Sequence, residues 1–310
     1  MAATTPPVEE TLAREAKQAP RAAIAAILAG VATIGGTILQ GVALRGRPSV
    51  TLNEGLHDAA TANDPHGLLE PTLLFVNRHM TTLTIGQIMT ALAAPLTALA
   101  LIYLFGAVRA RRPAFGQGSL IALAAGGVAS FIGILVGQIA VDISVSNFVS
   151  AADHTTTAAH NALQPGTALA AGLIQFVGHV ALGLGFVLVA LNAMRVGLLT
   201  RFMGVLGILA GVFLAFPFFS IPIVQAFWLV AAGLLFLGRF PNGTPPAWGT
   251  GKAEPWPSRQ ELLEQQGKAK PPGRGPAPAK ASGPPPPADP VDSALGRPDH
   301  SRSKKKKRRR

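Results

Sequence analysis

Long apolar runs are the feature that most restricts how this chain can fold. Each exceeds the ~18 residues that mark a transmembrane helix. Four of them are separated by polar loops: 22–44, 82–108, 119–141 and 168–194. A fifth stretch, 202–238, is too long for one crossing and slightly short for two. Its Pro217 and Pro222 favour a tight helical hairpin with arms of roughly 16 residues. We therefore predict an all-α protein, a six-helix transmembrane bundle with a disordered basic C-terminal tail.

Composition supports a membrane protein and excludes several kinds of chemistry. Hydrophobic residues make up 49% of the 310 residues and charged residues only 14%, whereas soluble domains carry ~25% charged residues. There is no Cys, which excludes disulfides, thiolate metal sites and cysteine-ligated iron–sulfur clusters. Paired intramembrane carboxylates and the Gly-x-Ser-x-Gly and phosphate-loop motifs are also missing from the sequence. We predict no enzyme activity and no cofactor.

The distribution of Lys and Arg predicts the orientation. The net charge of +12 belongs mainly to the region after residue 238. With six crossings of the cell membrane, the bias of basic residues toward the cytoplasm predicts that both termini are cytoplasmic. Arg45 and Arg47 follow the first apolar run and would lie on the outer side, contrary to this bias. We expect a cytoplasmic segment at 1–20, the membrane domain at 21–238, a juxtamembrane segment at 239–267 and a disordered Pro-rich tail at 268–310.

The chain ends in an unbroken block of seven basic residues. These are candidate contacts for anionic lipid headgroups: Lys304, Lys305, Lys306, Lys307, Arg308, Arg309 and Arg310. Each basic side chain near an anionic leaflet contributes about 1 kcal/mol. The alternative is a solvated determinant of orientation with no binding partner. Specific nucleic-acid binding is not expected, because neither stacking aromatics nor a folded basic surface accompanies the block.

Polar residues within the apolar runs suggest a site between the third and fourth spans. Gln138 and Asp142 are four residues apart and share a helix face, as do Gln175 and His179. In antiparallel helices, Asp142 is then expected level with Gln175, and Gln138 level with His179. We predict an outward-facing polar pocket, roofed by the loop that carries Asp153, His154 and His160. The alternative is that these side chains only form hydrogen bonds between helices.

Two stretches carry a family resemblance. "MRVGLLTRFMGVLGILAGV" (194–212) and "GRFPNGTPPAWGTGKAEPWPSRQE" (238–261) together resemble uncharacterised six-span membrane proteins of high-GC Gram-positive bacteria, a domain family of unknown function. The resemblance implies a six-span fold and brings no substrate or catalytic residues. We predict a non-catalytic accessory or assembly component in the lipid bilayer, with its protein partners unknown. The alternative is a small carrier or ligand-binding bundle that uses the predicted polar pocket.

Overall fold

A computed structural model describes residues 7–49, 69–216, 221–241 and 243–254. In this part of the chain, all regular structure is helical and there is no strand, which confirms the all-α fold class. The helices are α1 (Val8–Ala43), α2 (Glu70–Arg111), α3 (Gly118–Ser150), α4 (Thr156–Leu163), α5 (Gly166–Arg195), α6 (Arg201–Ala215), α7 (Pro222–Phe236) and α8 (Pro246–Thr250).

The helices are those of a membrane-embedded protein. Four stretches are long and apolar enough to cross a bilayer: α1, α2, α3 and the segment that includes α5. α6 and α7 are also apolar, but each has only 15 residues, or about 22 Å at the helical rise. These are the two short arms predicted for the last apolar stretch. The turn between them, at 217–220, lies outside the described residues.

Six of the helices pack in a closed ring. α1 packs between α2 and α7, α3 between α2 and α5, and α6 between α5 and α7. We call the end of the ring where α1 begins and α7 ends the tail end, and the end where α1 ends and α2 begins the loop end.

Three helices extend beyond the predicted membrane segments. α1 starts at Val8 and continues without a break into the first membrane segment. Thr11 and Glu15 are buried in this early part of the helix. The predicted boundary at residue 20 therefore falls inside α1. α2 begins at Glu70 and α3 continues to Ser150, so both project at the loop end.

Apolar side chains form two separate clusters. The larger one lies inside the ring and includes Trp228 and Phe186, both fully buried, with ring centroids 4.6 Å apart. The smaller one joins Leu73 of α2, Phe148 of α3 and Ala159 of α4 at the loop end. α4 is started by Thr155, whose hydroxyl accepts a hydrogen bond from the Ala158 N–H. The projecting helix ends and α4 thus form a small packed unit of their own.

Candidate polar sites at the two ends of the bundle

The predicted pair on α3 forms a hydrogen-bonded group with α2. The Gln138 amide donates to Asp142 Oδ1 at 2.7 Å, as their spacing of four residues indicated. The Thr84 hydroxyl of α2 donates to the other carboxylate oxygen, Oδ2, at 2.7 Å. Both α3 side chains are half-buried. Asp142 therefore joins α2 to α3, and its partner is a neighbour that sequence spacing alone did not reveal.

The predicted register between α3 and α5 is wrong. A Cβ added at Gly133 would lie 2.5 Å from the Gln175 backbone N, so these two residues are level. A Cβ at Gly178 would lie equally close to the Ser130 N, which places His179 beside the same turn of α3. Gln175 and His179 are therefore nine residues from the predicted level of Asp142 and Gln138, or about 13 Å along the axis. The two pairs do not line one pocket.

The reason for this register is the close contact of glycine backbones. Gly126 and Gly133 on α3 and Gly178 on α5 each stand where a side chain would meet the backbone of the facing helix. Small residues allow helices in membranes to approach this closely. Counting residues from the ends of the apolar runs ignores where the backbones touch, so the predicted depths of these side chains were wrong.

A second polar group joins α1 to α2. The Gln40 amide donates to Gln87 Oε1 at 3.2 Å and to the Thr90 hydroxyl at 3.1 Å. The two helices cross closely beside it, since a Cβ at Gly36 would lie 2.7 Å from the Gly86 carbonyl. Like the Asp142 group, it lies toward the loop end and satisfies polar side chains between helices.

The loop-end unit is held by an ion pair. His154 Nδ1 lies 2.5 Å from Glu70 Oε1, and its other ring nitrogen lies 2.9 Å from the Ala151 carbonyl. The hydrogen bond to Glu70 and the one to Ala151 raise the pKa of His154 above its ordinary value of 6.5. The Thr155 backbone N–H, which donates to Asp153, lowers the pKa of that carboxyl. Asp153 and His154 thus cap the unit and do not roof a pocket between α3 and α5.

The most extensive polar contact lies at the tail end, around Arg111. Its guanidinium donates to both carboxylate oxygens of Glu15, and its side chain is fully buried. It also donates to the Ala247 carbonyl, at 2.6 Å from Nη2 and 3.2 Å from Nε. Arg111 therefore joins three distant parts of the chain: α1, α2 and α8. We call Glu15, Arg111, Ala247 and Trp248 the tail-end clamp.

Aromatic residues complete the tail-end clamp. The Arg111 guanidinium carbon lies 5.6 Å from the Trp248 ring centroid, a cation–π distance. The Trp248 indole N–H donates to the Leu198 carbonyl at 2.9 Å, and its ring stacks against Tyr103 at 6.0 Å. The Glu254 N–H then donates to the Val196 carbonyl at 3.1 Å. The segment from Pro246 to Glu254 is thus fixed to the bundle.

The neighbouring basic residue has a different partner. Arg112 Nη1 donates to Asn192 Oδ1 at 2.7 Å, and the Asn192 amide donates to the Leu188 carbonyl at 2.8 Å. No partner of Arg111 or Arg112 was predicted from the sequence. Glu15 is buried beside Thr11, four residues earlier on the same helix face, and this burial is visible only in the structure.

The remaining predictions on binding sites fall partly outside the described residues. Among those that are described, no group of three or more His, Asp or Glu side chains is placed to hold a metal ion. The seven basic residues Lys304 to Arg310 and the long loop at 50–68 lie outside the described part. The lipid contacts of the tail stay a prediction.

The fold and its polar contacts define a class, an all-helical membrane protein whose polar side chains bond between helices and at both bundle ends. Comparison with protein-family models, curated proteins and solved structures gives no match to this chain. The resemblance to six-span proteins of high-GC Gram-positive bacteria stays a prediction.

Proposed function

We propose that this chain is a non-catalytic, six-crossing protein of the cell membrane that holds its basic tail at the cytoplasmic face as an accessory or assembly component. The observation that carries the proposal is the tail-end clamp. It ties the segment leading into the tail to α1 and α2 through one buried guanidinium. A segment attached at Ala247, Trp248 and Glu254 gives the basic residues a fixed point of departure from the bundle.

The charges at the two ends support the orientation. At the loop end, the described Lys and Arg residues are Arg45, Arg47 and Arg78. At the tail end they are Arg14, Lys17, Arg21, Arg109, Arg111, Arg112, Arg195, Arg201, Arg239 and Lys252. Cytoplasmic segments carry the excess of basic residues. This bias favours a cytoplasmic tail end, with both termini inside the cell.

The polar contacts within the bundle support a role that is not catalytic. Gln138 and Thr84 both donate to Asp142, and Gln40 donates to both Gln87 and Thr90. Hydrogen bonds between membrane helices contribute about 0.6 kcal/mol each on average. Groups arranged in this way hold helices together, which is the role expected of a scaffold. The carrier alternative depended on one pocket shared by α3 and α5, and the register of these helices separates its two halves.

Orientation can be tested by cysteine labelling, because the chain has no Cys of its own. Ser150→Cys places a thiol on an exposed residue at the loop end, and Thr250→Cys places one at the tail end. We expect a membrane-impermeant maleimide to label Ser150→Cys in intact cells, and Thr250→Cys only after permeabilisation. Labelling of Thr250→Cys in intact cells would contradict the cytoplasmic tail end.

The role of the tail can be tested in nanodiscs of defined lipid. A fluorophore attached to Ser303→Cys in the full-length protein reports whether the basic block meets the bilayer. We expect a more apolar environment in phosphatidylglycerol than in phosphatidylcholine, and its loss in high salt. The matched control replaces Lys304 to Arg310 with Gln. Equal signals in both lipids would show that the block does not bind anionic headgroups.

A further inference from the structure

The wall of the ring has an apolar groove between α1 and α7. It encloses about 480 Å³ and is lined by Gly30, Val31, Ile34, Gly35, Ile223 and Phe227, among others. The two helices touch beside the groove, since a Cβ at Gly30 would lie 2.9 Å from the Ala226 carbonyl, one turn after α7 begins. Around this contact, Val31, Ile223 and Phe227 are all more than half exposed. The groove therefore opens to the hydrocarbon phase.

An exposed stripe of α1 connects this groove to a basic residue. Ile38 follows Val31 by seven residues and Val42 follows it by eleven, which places these three on one face of α1. Arg45 lies two residues beyond the end of the helix at Ala43. Ile38 and Val42 are each more than half exposed, and Arg45 is exposed at the helix end. The stripe is a continuous apolar track that ends in a cation.

The length of this track matches one leaflet. Ile34 lies ten residues from Leu44, or about 15 Å at the helical rise. This is half of the ~30 Å hydrocarbon core of a bilayer. An acyl chain from the loop-end leaflet that starts beside Arg45 therefore runs along Val42 and Ile38, and its end reaches the groove at Ile34 and Gly35.

We infer that this face binds one anionic phospholipid of the loop-end leaflet, with an acyl chain along Val42 and Ile38 into the α1–α7 groove and its phosphate at Arg45. Arg45 lies at the loop end, where basic residues are few, so the bias of basic residues toward the cytoplasm does not explain its position. Binding of a lipid phosphate gives Arg45 a role there. The site is separate from the tail and does not depend on which side of the membrane the tail occupies.

A lipid fits this face better than a second copy of the chain. Two copies inserted in the same direction meet at equal depth, so a symmetric contact through the groove would place Arg45 opposite Arg45. Like charges set against each other disfavour such a contact, whereas an anionic headgroup complements the charge. The second copy is therefore an outcome that the experiment must be able to show.

Native mass spectrometry of the full-length protein in mild detergent tests the site. Phosphatidylglycerol and phosphatidylcholine are added at equal amounts, and the adduct retained under increasing collision energy is counted. Val31→Trp fills the groove, and Val128→Trp on α3 is its control, because both valines are 54% exposed. Arg45→Gln removes the headgroup contact, and Arg78→Gln removes an exposed cation at the same end as its control.

We expect the wild type to retain one phosphatidylglycerol in preference to phosphatidylcholine. Arg45→Gln should lower this retention about fivefold, the factor for one headgroup charge contact. Val31→Trp should lower retention of both lipids, and the two control variants should match the wild type. Equal retention in all five proteins would overturn the proposal. A dimer that Val31→Trp dissociates, without a retained lipid, would assign the groove to a second copy instead.

Discussion

Arg111 and Glu15, 96 residues apart in the chain, form a bidentate ion pair in which the arginine side chain is fully buried. A pair of this kind contributes chiefly by what its loss leaves behind. Removing one partner leaves a buried charge unpaired, whereas exposed ion pairs contribute little to stability. The tail-end clamp is therefore the polar contact whose disruption we expect to cost the most.

Glu15→Gln should destabilise the protein by about 3 kcal/mol, because the Arg111 charge then keeps only neutral partners. The measurement is thermal unfolding in detergent, compared with wild type. Glu10→Gln is the matched control, since Glu10 pairs with Arg14 on the exposed surface of the same helix. It should change stability by less than about 1 kcal/mol. Equal effects of the two variants would show that the clamp does not hold α1.

The loop-end unit should loosen as the pH rises. The pKa of His154 is raised by Glu70, so the stabilisation is fully present below the ordinary value of 6.5 and is lost as the pH passes above the folded-state pKa. The lowered pKa of Asp153 acts in the opposite sense, but only in acid, below its ordinary value of 3.8. The two effects therefore occupy separate pH ranges.

Hydrogen exchange of the segment 151–163 between pH 6 and pH 9, corrected for the intrinsic rate, measures this change. We expect protection to fall with rising pH in the wild type. His154→Ala should remove the pH dependence, whereas His160→Ala, on the exposed side of α4, should keep it. A pH dependence that survives in His154→Ala would assign it to another group.

Two glycines of α5 should respond oppositely to the same substitution. A Cβ at Gly178 would lie 2.5 Å from the Ser130 N, so Gly178→Ala must move a helix and should cost about 1–3 kcal/mol. Gly172 has open space around it, and Gly172→Ala should be neutral or stabilise by up to about 1 kcal/mol. Thermal unfolding of both variants in detergent is the measurement. A cost at Gly172 as large as at Gly178 would refute the register.

The Asp142 group should contribute modestly. Thr84→Val removes the hydroxyl that donates to Asp142 while keeping the side-chain shape, and should cost about 0.6–1.7 kcal/mol. Thr81→Val, at an exposed position of the same helix, is the control. Unfolding in detergent measures both. No difference between them would mean that the bond between α2 and α3 adds nothing to stability.

The sequence was sufficient to predict where the long helices lie in the chain. It was not sufficient to predict which residues of neighbouring helices lie at the same depth. Run length and hydropathy predicted α1, α2, α3 and α5, because the bilayer thickness requires spans of that length. The extra turns at Val8 and Glu70 were not predicted, since they depend on packing outside the membrane segments.

Contacts between distant residues were the part that the sequence could not provide. The spacing of Gln138 and Asp142 predicted that they share a helix face, because this depends only on helical geometry, and the two side chains are hydrogen-bonded there. Their level relative to Gln175 depends on where Gly133 and Gly178 let two backbones touch, which no local pattern encodes. In the same way, no sequence pattern around Arg111 indicated that its partner is Glu15.

The closed ring has a consequence for how the chain is made. α1 precedes the other described helices in the chain, yet one of its two neighbours in the ring, α7, is made only after α2 to α6. Until then, the face of α1 around Gly30 has no protein partner and meets only lipid. Nascent chains that stop before α7 should therefore be the forms that quality-control proteases remove, and the packing of α7 against Gly30 should mark the end of that exposure.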